Sequence, residues 1–389
     1  MVDDVSDIDN AKELSGIWET VRSQMPLLTH IVVQVPPLAS HLDQITQLIK
    51  NLPQLKSLEL PAFEETSKIL PCVLGISQLK RMKFNFSFIP SSESNDDKII
   101  SIRDVGCYMD SPDLDIPPQL EDIDFHCASL GATMAFFQSR GFSQLTHLRT
   151  ICTAAIEEPP LLGQFVTTIS QTCRQITNFE FVLYSAVSKR ILESQDSPDL
   201  PVLTCREIVS FSNIRGILNC NEMIEFSFRH PYGLDITDFD IKELATAWPK
   251  LKSVRLGSNP VQRVDRGLIR NPTMNAFVSF VEHCPLIEEI YLIVDATLPL
   301  NLPKGSTTAS QTLHTIGVGI SEIGDENAVV MFLSQLCGPQ CKLLRASVDR
   351  FEKLRSKSMH SKWQKVAKLL PLLTGFKGQF DAKDEGDIG

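Results

Sequence analysis

One phrase recurs along this chain and restricts its fold more than any other feature. It places apolar residues at offsets 1, 4 and 6 and leaves the positions between them free. It fits at Leu28–Ile31–Val33, Leu55–Leu58–Leu60, Leu79–Met82–Phe84, Leu120–Ile123–Phe125 and Leu145–Leu148–Thr150. It continues at Ile176–Phe179–Phe181, Met223–Phe226–Phe228, Leu251–Val254–Leu256, Ile287–Ile290–Leu292, Leu313–Ile316–Val318 and Cys341–Leu344–Ala346. Of these 33 positions 32 are apolar, Thr150 being the exception, where a 43% hydrophobic chain gives about 14 by chance. Two flanking columns, unused in setting the register, repeat with it. Met25, Leu52, Ile76, Phe142, Cys173, Cys220, Trp248 and Cys284 stand three residues before offset 1. Pro26, Pro53, Pro118, Pro249, Pro285 and Pro339 stand two before it.

Offsets 4 and 6 lie two apart, so on a strand both side chains enter one face. Proline ahead of the strand ends the preceding helix, because it lacks an N–H and restricts the residue before it. Upstream segments such as "HLDQITQLIKNL", "FDIKELATAW" and "NAFVSFVEHC" carry apolar residues at helical spacing. Helix, proline stop and short strand, repeated, predict an α/β leucine-rich-repeat solenoid (a horseshoe) of about eleven repeats. Parallel strands are expected on its concave face and helices on its convex face. Most repeats step by 24–31 residues, and the longer steps carry insertions near 89–118 and 185–205.

The stretch "ITDFDIKELATAWPKLKSVRLGSN", Ile236 to Asn259, resembles the cysteine-containing leucine-rich repeat of F-box proteins. The Ile236–Thr237–Asp238 start, the Trp248–Pro249 and Cys284–Pro285 junctions and the following strand carry the match. "LHTIGVGIS", "VVMFLSQL" and "WQKVAKLLPLL" are similar to the large F-box/leucine-rich-repeat families of mushroom-forming fungi. The resemblance spans roughly residues 20 to 375. It implies the substrate-recognition part of a ubiquitin-ligase receptor, cytoplasmic or nuclear. An F-box itself is expected to be missing: only about 24 residues precede the first phrase. Adaptor binding would then need an F-box supplied by a missing upstream segment. A stand-alone repeat scaffold with no ubiquitin role is the second reading, and an enzyme with an unrecognised site the third.

The expected organisation is an acidic N-terminus with a capping helix over 1–24 and the solenoid over 25–347. A C-terminal capping helix over 348–375 and a disordered tail over 376–389 follow. Leu14, Ile17, Trp18 and Val21 would close the first repeat's open edge, and Trp363, Val366 and Leu370 the last repeat. Residues 350–368 hold seven Lys or Arg against Glu352 alone, a pattern that also fits a basic amphipathic surface helix. The cap is the preferred reading.

Chemistry is sparse. No secretory signal is visible and none is expected, no apolar run reaches membrane-spanning length, and the formal net charge is −10, which disfavours membrane and general nucleic-acid partners. No nucleophile elbow, phosphate loop or His-Glu-x-x-His pair occurs, and Lys304–Gly305–Ser306 lacks the upstream glycine. His126 beside Cys127 sits next to Asp122 and Asp124, an acidic setting that opposes a thiolate. Cys337 and Cys341 have no nearby partners for zinc, and the cysteines of the flanking column read as small core residues. No catalytic residue, metal or cofactor is assigned.

A protein client, bound by a monomer, is therefore the expected partner. The candidate residues are those flanking the core positions of each strand. They are Arg81 and Lys83; Asp122, Asp124 and His126; His147 and Arg149; Asn178 and Glu180; Glu225 and Arg229; Arg255; and Glu289 and Tyr291. Arg255 and Tyr291 are the expected energetic anchors.

Overall fold

The computed structural model describes residues 16–21, 23–35, 39–61, 66–85, 119–127, 130–139, 142–152, 158–183, 208–230, 234–257, 269–300, 310–345 and 357–384. The expected insertions at 89–118 and 185–205 lie wholly outside these residues, as do Leu14 and Ala346. The chain divides into two compact units, residues 1–157 with 164–176, and 158–163 with 177–389.

In the first unit five strands follow one another in chain order: β1 (His30–Val32), β2 (Ser57–Pro61), β3 (Arg81–Asn85), β4 (Asp122–Cys127) and β5 (His147–Cys152). Every pair between neighbours is parallel. Parallel neighbours need a crossover, and helices supply it: α1 (Ala39–Lys50), α2 (Thr66–Leu74) and α3 (Leu130–Ser139), followed by α4 (Pro159–Thr172), which is divided between the units.

The second unit repeats the plan. Its long ladder runs β6 (Asn178–Leu183), β8 (Glu225–Arg229), β10 (Ser253–Leu256), β11 (Glu289–Leu292), β13 (Thr315–Gly317) and β15 (Lys342–Leu344), all parallel. Short ladders join β7 (Val209–Ser210) to β9 (Leu234–Asp235) and β12 (Asp295–Ala296) to β14 (Glu322–Ile323). Its helices are α5 (Phe211–Ile214), α6 (Asp238–Ala247), α7 (Asn275–His283), α8 (Glu326–Leu336) and α9 (Lys357–Asp384). The chain is an α/β leucine-rich-repeat fold.

Register follows the phrase. Leu58 sits opposite Met82, Ile123 opposite Leu148, and Phe226, Val254, Ile290 and Ile316 line up across successive strands. These offset-4 side chains are at most 3% exposed. Phe179 stacks on Phe226 at 5.8 Å and Phe181 on Phe228 at 5.2 Å, so aromatic rings run along the core in register.

The recurrent proline has a tighter reason than stopping helices. In repeat after repeat the offset-1 N–H donates to the carbonyl three residues back, as Leu55 to Leu52, Leu251 to Trp248 and Ile287 to Cys284. Proline is thus the second residue of a hydrogen-bonded turn, where its fixed φ is suited. From that turn the chain steps into the strand, and the offset-2 carbonyl accepts two N–H groups from the next repeat. Lys252 and Ser253 both donate to Ile224, and Glu288 and Glu289 both donate to Lys252.

The Ile236–Thr237–Asp238 phrase builds a helix start. The Thr237 hydroxyl accepts from Asp240 N, and the Asp240 carboxylate accepts from Thr237 N at 2.8 Å, a capping box that satisfies two backbone donors. Asp238 instead accepts from Thr273 N at 2.8 Å and Thr273 Oγ1 at 2.6 Å, tying one repeat to the next. Cysteine in the flanking column does more than fill space. The Cys284 thiol donates to Ala245 O and Trp248 O, main-chain carbonyls at the end of α6.

Three expectations change. The eleventh phrase is read one residue late: Ile316 pairs with Leu343, not Leu344, and Leu344 is 43% exposed. Cys341 still closes its turn on Gly338, but the strand is entered one residue early, and two successive leucines fit an apolar pattern in either register. At the N-terminal end, residues 16–21 and 23–24 are helical, yet Ile17 and Met25 are half exposed. Met25 stands in the column that is buried in the later repeats, as at Leu52, Ile76 and Trp248. At the C-terminal end α9 runs to Asp384, into the segment 376–389 expected to be disordered, because an established helix adds residues at little cost. Trp363, Val366 and Leu370 on α9 are buried, and Trp363 Nε1 donates to Ser321 O at 2.9 Å. Two of its cations are engaged within the chain, Lys362 on Gly324 O and Lys365 on Glu326.

Candidate protein-binding face

Offsets 3 and 5 alternate with the buried positions, so their side chains stand on the sheet face turned away from the helices. All the candidate residues lie on these strands. The His126 backbone is in β4, and its side chain lies outside the described residues.

On the first unit the charges meet their opposites on the neighbouring strand. Arg149 Nη1 is 3.2 Å from Asp124 Oδ2, Lys83 Nζ is 3.6 Å from Glu59 Oε1, and Arg81 Nε is 4.0 Å from Asp122 Oδ2. Each pair is directly opposite in register. His147 is exposed, with its Nδ1 2.7 Å from the Thr146 hydroxyl. Burial pushes the Asp124 carboxyl above the ordinary aspartate range, against the pull of Arg149 and Lys83. Asp122 is raised likewise by burial, against the pull of His147, Arg81 and Lys83.

On the second unit the pairs run diagonally. Arg229 Nη2 donates to Glu180 Oε1 at 2.9 Å, and Arg255 Nη2 donates to Glu289 Oε2 at 2.8 Å. Ser253 Oγ also reaches Glu289, at 3.4 Å. The Arg255 guanidinium lies over the Tyr291 ring, 4.6 Å from its centroid. Burial works against the Arg255 charge, but the hydrogen bond and charge of Glu289 outweigh it and raise its pKa. Burial raises the Tyr291 phenol, and the Glu289 charge adds to it while Arg255 opposes. Asn178 Oδ1 accepts from Thr177 Oγ1 at 2.8 Å, and Glu225 is exposed.

Arg255, Tyr291 and Gly317 share one row across β10, β11 and β13. Tyr291 is hemmed between the guanidinium on one strand and Gly317 on the next. Arg255 and Tyr291 are therefore one assembly with Glu289, not two independent anchors. Glu59 and Gly317 belong to the face and were missed from the sequence. Gly317 was recoverable, because "LHTIGVG" puts it at offset 5 beside Tyr291. Glu59 occupies the same offset in "LKSLEL".

Half-exposed pairs of this kind contribute about 0–1 kcal/mol each to stability, so their larger effect is on what the surface presents. An alternating pattern of fixed charges discriminates between partners and steers encounter. Among the described residues, no group of three or more His, Cys, Asp or Glu could hold a metal ion. No described helix is long and apolar enough to cross a membrane. Cys220 and Cys284 are pushed by burial to about 12, so neither is an activated nucleophile.

No family model matches the chain, and no curated protein matches it. Among solved structures it is similar to an internalin (inlF) from Listeria monocytogenes, 9% identical, with a TM-score of 0.37, covering 89% of this chain and 92% of that one. The Rad7–Elc1 complex in yeast is 11% identical with a TM-score of 0.28, covering 87% and 82%. A TLR13–ssRNA13 complex is 11% identical with a TM-score of 0.29, covering 85% of this chain and 52% of that one. Likenesses this slight say nothing about what this chain binds.

Proposed function

We propose that the helix-free sheet face docks a protein client and that the chain acts as a non-enzymatic interaction scaffold. The supporting observation, taken on each unit by itself, is the cross-strand ion pairs, Arg149–Asp124 on the first and Arg229–Glu180 with Arg255–Glu289 on the second, on the side of the strands opposite the described helices. Charge is held in place on each, and its sign changes between neighbouring strands, which suits a matched protein surface. The repeat phrases around Ile236–Asn259 support the finer reading of a ubiquitin-ligase substrate receptor, cytoplasmic or nuclear, and "LHTIGVGIS", "VVMFLSQL" and "WQKVAKLLPLL" support its fungal type. Adaptor binding is proposed only for a product that carries an F-box upstream.

Simple charge reversal of the arginines would set like charges side by side and confound binding with folding. Exchanging the partners avoids this: Arg255→Glu with Glu289→Arg, and Arg149→Asp with Asp124→Arg. Each exchange keeps a pair and inverts what it presents. The test is affinity purification from the native cell with mass spectrometry. A client that binds the parent chain should be lost from the exchanged variants while their unfolding midpoints stay close to the parent. Equal recovery by all three would sink the assignment of this face. Adaptor or cullin peptides in the parent sample would support the ligase reading, and a client recovered without them the stand-alone scaffold.

A further inference from the structure

On the second unit two rows of side chains cross the sheet face in register. One runs from Glu225 on β8 through Ser253, Glu289 and Thr315 to Lys342 on β15. The other lies two residues further along each strand and runs Ser227, Arg255, Tyr291, Gly317 and Leu344. Most charge on this face is answered from within, Arg229 by Glu180 and Arg255 by Glu289. The two ends of the first row are not. Glu225 and Lys342 are both exposed, and neither has an ion pair among the described residues. Beside Lys342 the second row turns apolar. The Tyr291 ring fills the space over Gly317, and the next side chain in the row is Leu344, 43% exposed.

We propose that this part of the face takes a short extended segment of the client, laid across the strands in one direction. The proposal rests on the reading of the face as a client-docking surface and adds the chemistry and orientation of what docks. An apolar side chain of the segment covers Tyr291 and Leu344, and a carboxylate next to it meets Lys342. A lysine or arginine at the segment's other end meets Glu225. From β8 to β15 there are four strand-to-strand steps, which at about 4.8 Å each span roughly 19 Å. About six residues of extended chain cover that distance. Arg255 and Glu289 already satisfy each other, so the centre of the segment needs no charge, while the unanswered ends fix its direction. A uniformly acidic or uniformly basic segment would set like charge against one end.

The test displays random peptides of about eight residues on phage and selects them on the immobilised full chain. Lys342→Glu and Leu344→Ser chains are selected in parallel, both positions being exposed, and urea midpoints near the parent's show them folded. The parent should enrich an apolar residue next to Asp or Glu, with Lys or Arg about five residues away. Lys342→Glu should turn the acidic position basic, and Leu344→Ser should lose the apolar preference. A synthetic peptide of the parent consensus, followed by fluorescence anisotropy, should bind Lys342→Glu at least about tenfold more weakly. A consensus that neither substitution alters would overturn the segment. If the Arg255→Glu, Glu289→Arg chain does alter it, the docking face stands without this segment, and if that chain does not, the face falls too. Absence of any consensus also overturns the segment, and client recovery then judges the face by itself.

Discussion

Tyr291 lies across Gly317 so closely that a Cβ on residue 317 would meet Tyr291 Cδ1 at 2.0 Å and Cε1 at 2.6 Å. Glycine is required there by the ring. Gly317→Ala should displace Tyr291, loosen its contact with Arg255 and lower stability by roughly 1–3 kcal/mol, as overpacking does. Adding Tyr291→Ala should recover part of that loss. A double-mutant cycle by urea denaturation measures the coupling, and simple additivity would show ring and glycine to be independent.

Thr150 is the one hydroxyl among the apolar slots of the repeat. It is fully buried, and its Oγ1 has no hydrogen-bond partner. An unsatisfied buried hydroxyl is costly, so Thr150→Val should raise stability by about 1 kcal/mol. Thr150→Ser, which keeps the hydroxyl and removes a methyl, should lower it. Denaturation midpoints decide, and a clear loss in Thr150→Val would mean that the hydroxyl is bonded.

Trp248 is fully buried, 4.9 Å from the Phe226 ring centroid, with an indole N–H that finds no acceptor. Trp248→Ala should cost roughly 3–5 kcal/mol as a large core truncation. Trp248→Phe should cost less than half as much, because no hydrogen bond is lost with the ring. Equal losses in equilibrium unfolding would assign the indole nitrogen a partner.

Two groups of aspartates should respond to acid with opposite sign. Asp122 and Asp124 are raised by burial, so the native state holds their protons more tightly than the unfolded chain does. Their support for folding is full below the unfolded value and is lost as pH rises through the native one. Asp235 is lowered, first by the Arg270 side-chain hydrogen bond, with burial opposing. Its contribution is full above the ordinary aspartate value and is lost as pH falls through the native one. On acidification Asp124→Asn should therefore lose ground against the parent, while the deficit of Asp235→Asn should shrink. Urea melts from neutral pH into the acid range measure both slopes, and slopes of one sign would contradict the assignment.

The fold was legible because its signals are local and repeated. Leu251, Val254 and Leu256 declare a strand face, Trp248–Pro249 declares the turn before it, and the same spacing recurs at Cys284–Pro285. Where the pattern was degenerate it misled: Leu343 and Leu344 are equally apolar, and only pairing with Ile316 selects the first. The face was legible as a set of residues and not as a set of contacts. Arg229 and Glu180 are 49 positions apart, and Arg255 and Glu289 are 34. Whether such residues meet directly or diagonally depends on side-chain reach across strands, which periodicity does not encode. Tyr291 looked free for the same reason, since Gly317 leaves no side chain to announce the contact.

The doubly used carbonyls have a consequence for how such a chain can vary. Eight of them, on Thr29, Lys56, Lys80, Glu121, Thr177, Ile224, Lys252 and Glu288, each receive two N–H groups from the next repeat. The joint is the same at these eight steps, while the side chains attached to it are polar, cationic, anionic and aliphatic. A joint made wholly of main chain places no demand on the letter written at that position. Neighbouring repeats can then diverge at their seams without coming apart, and sequence can drift a long way while the same staircase is rebuilt.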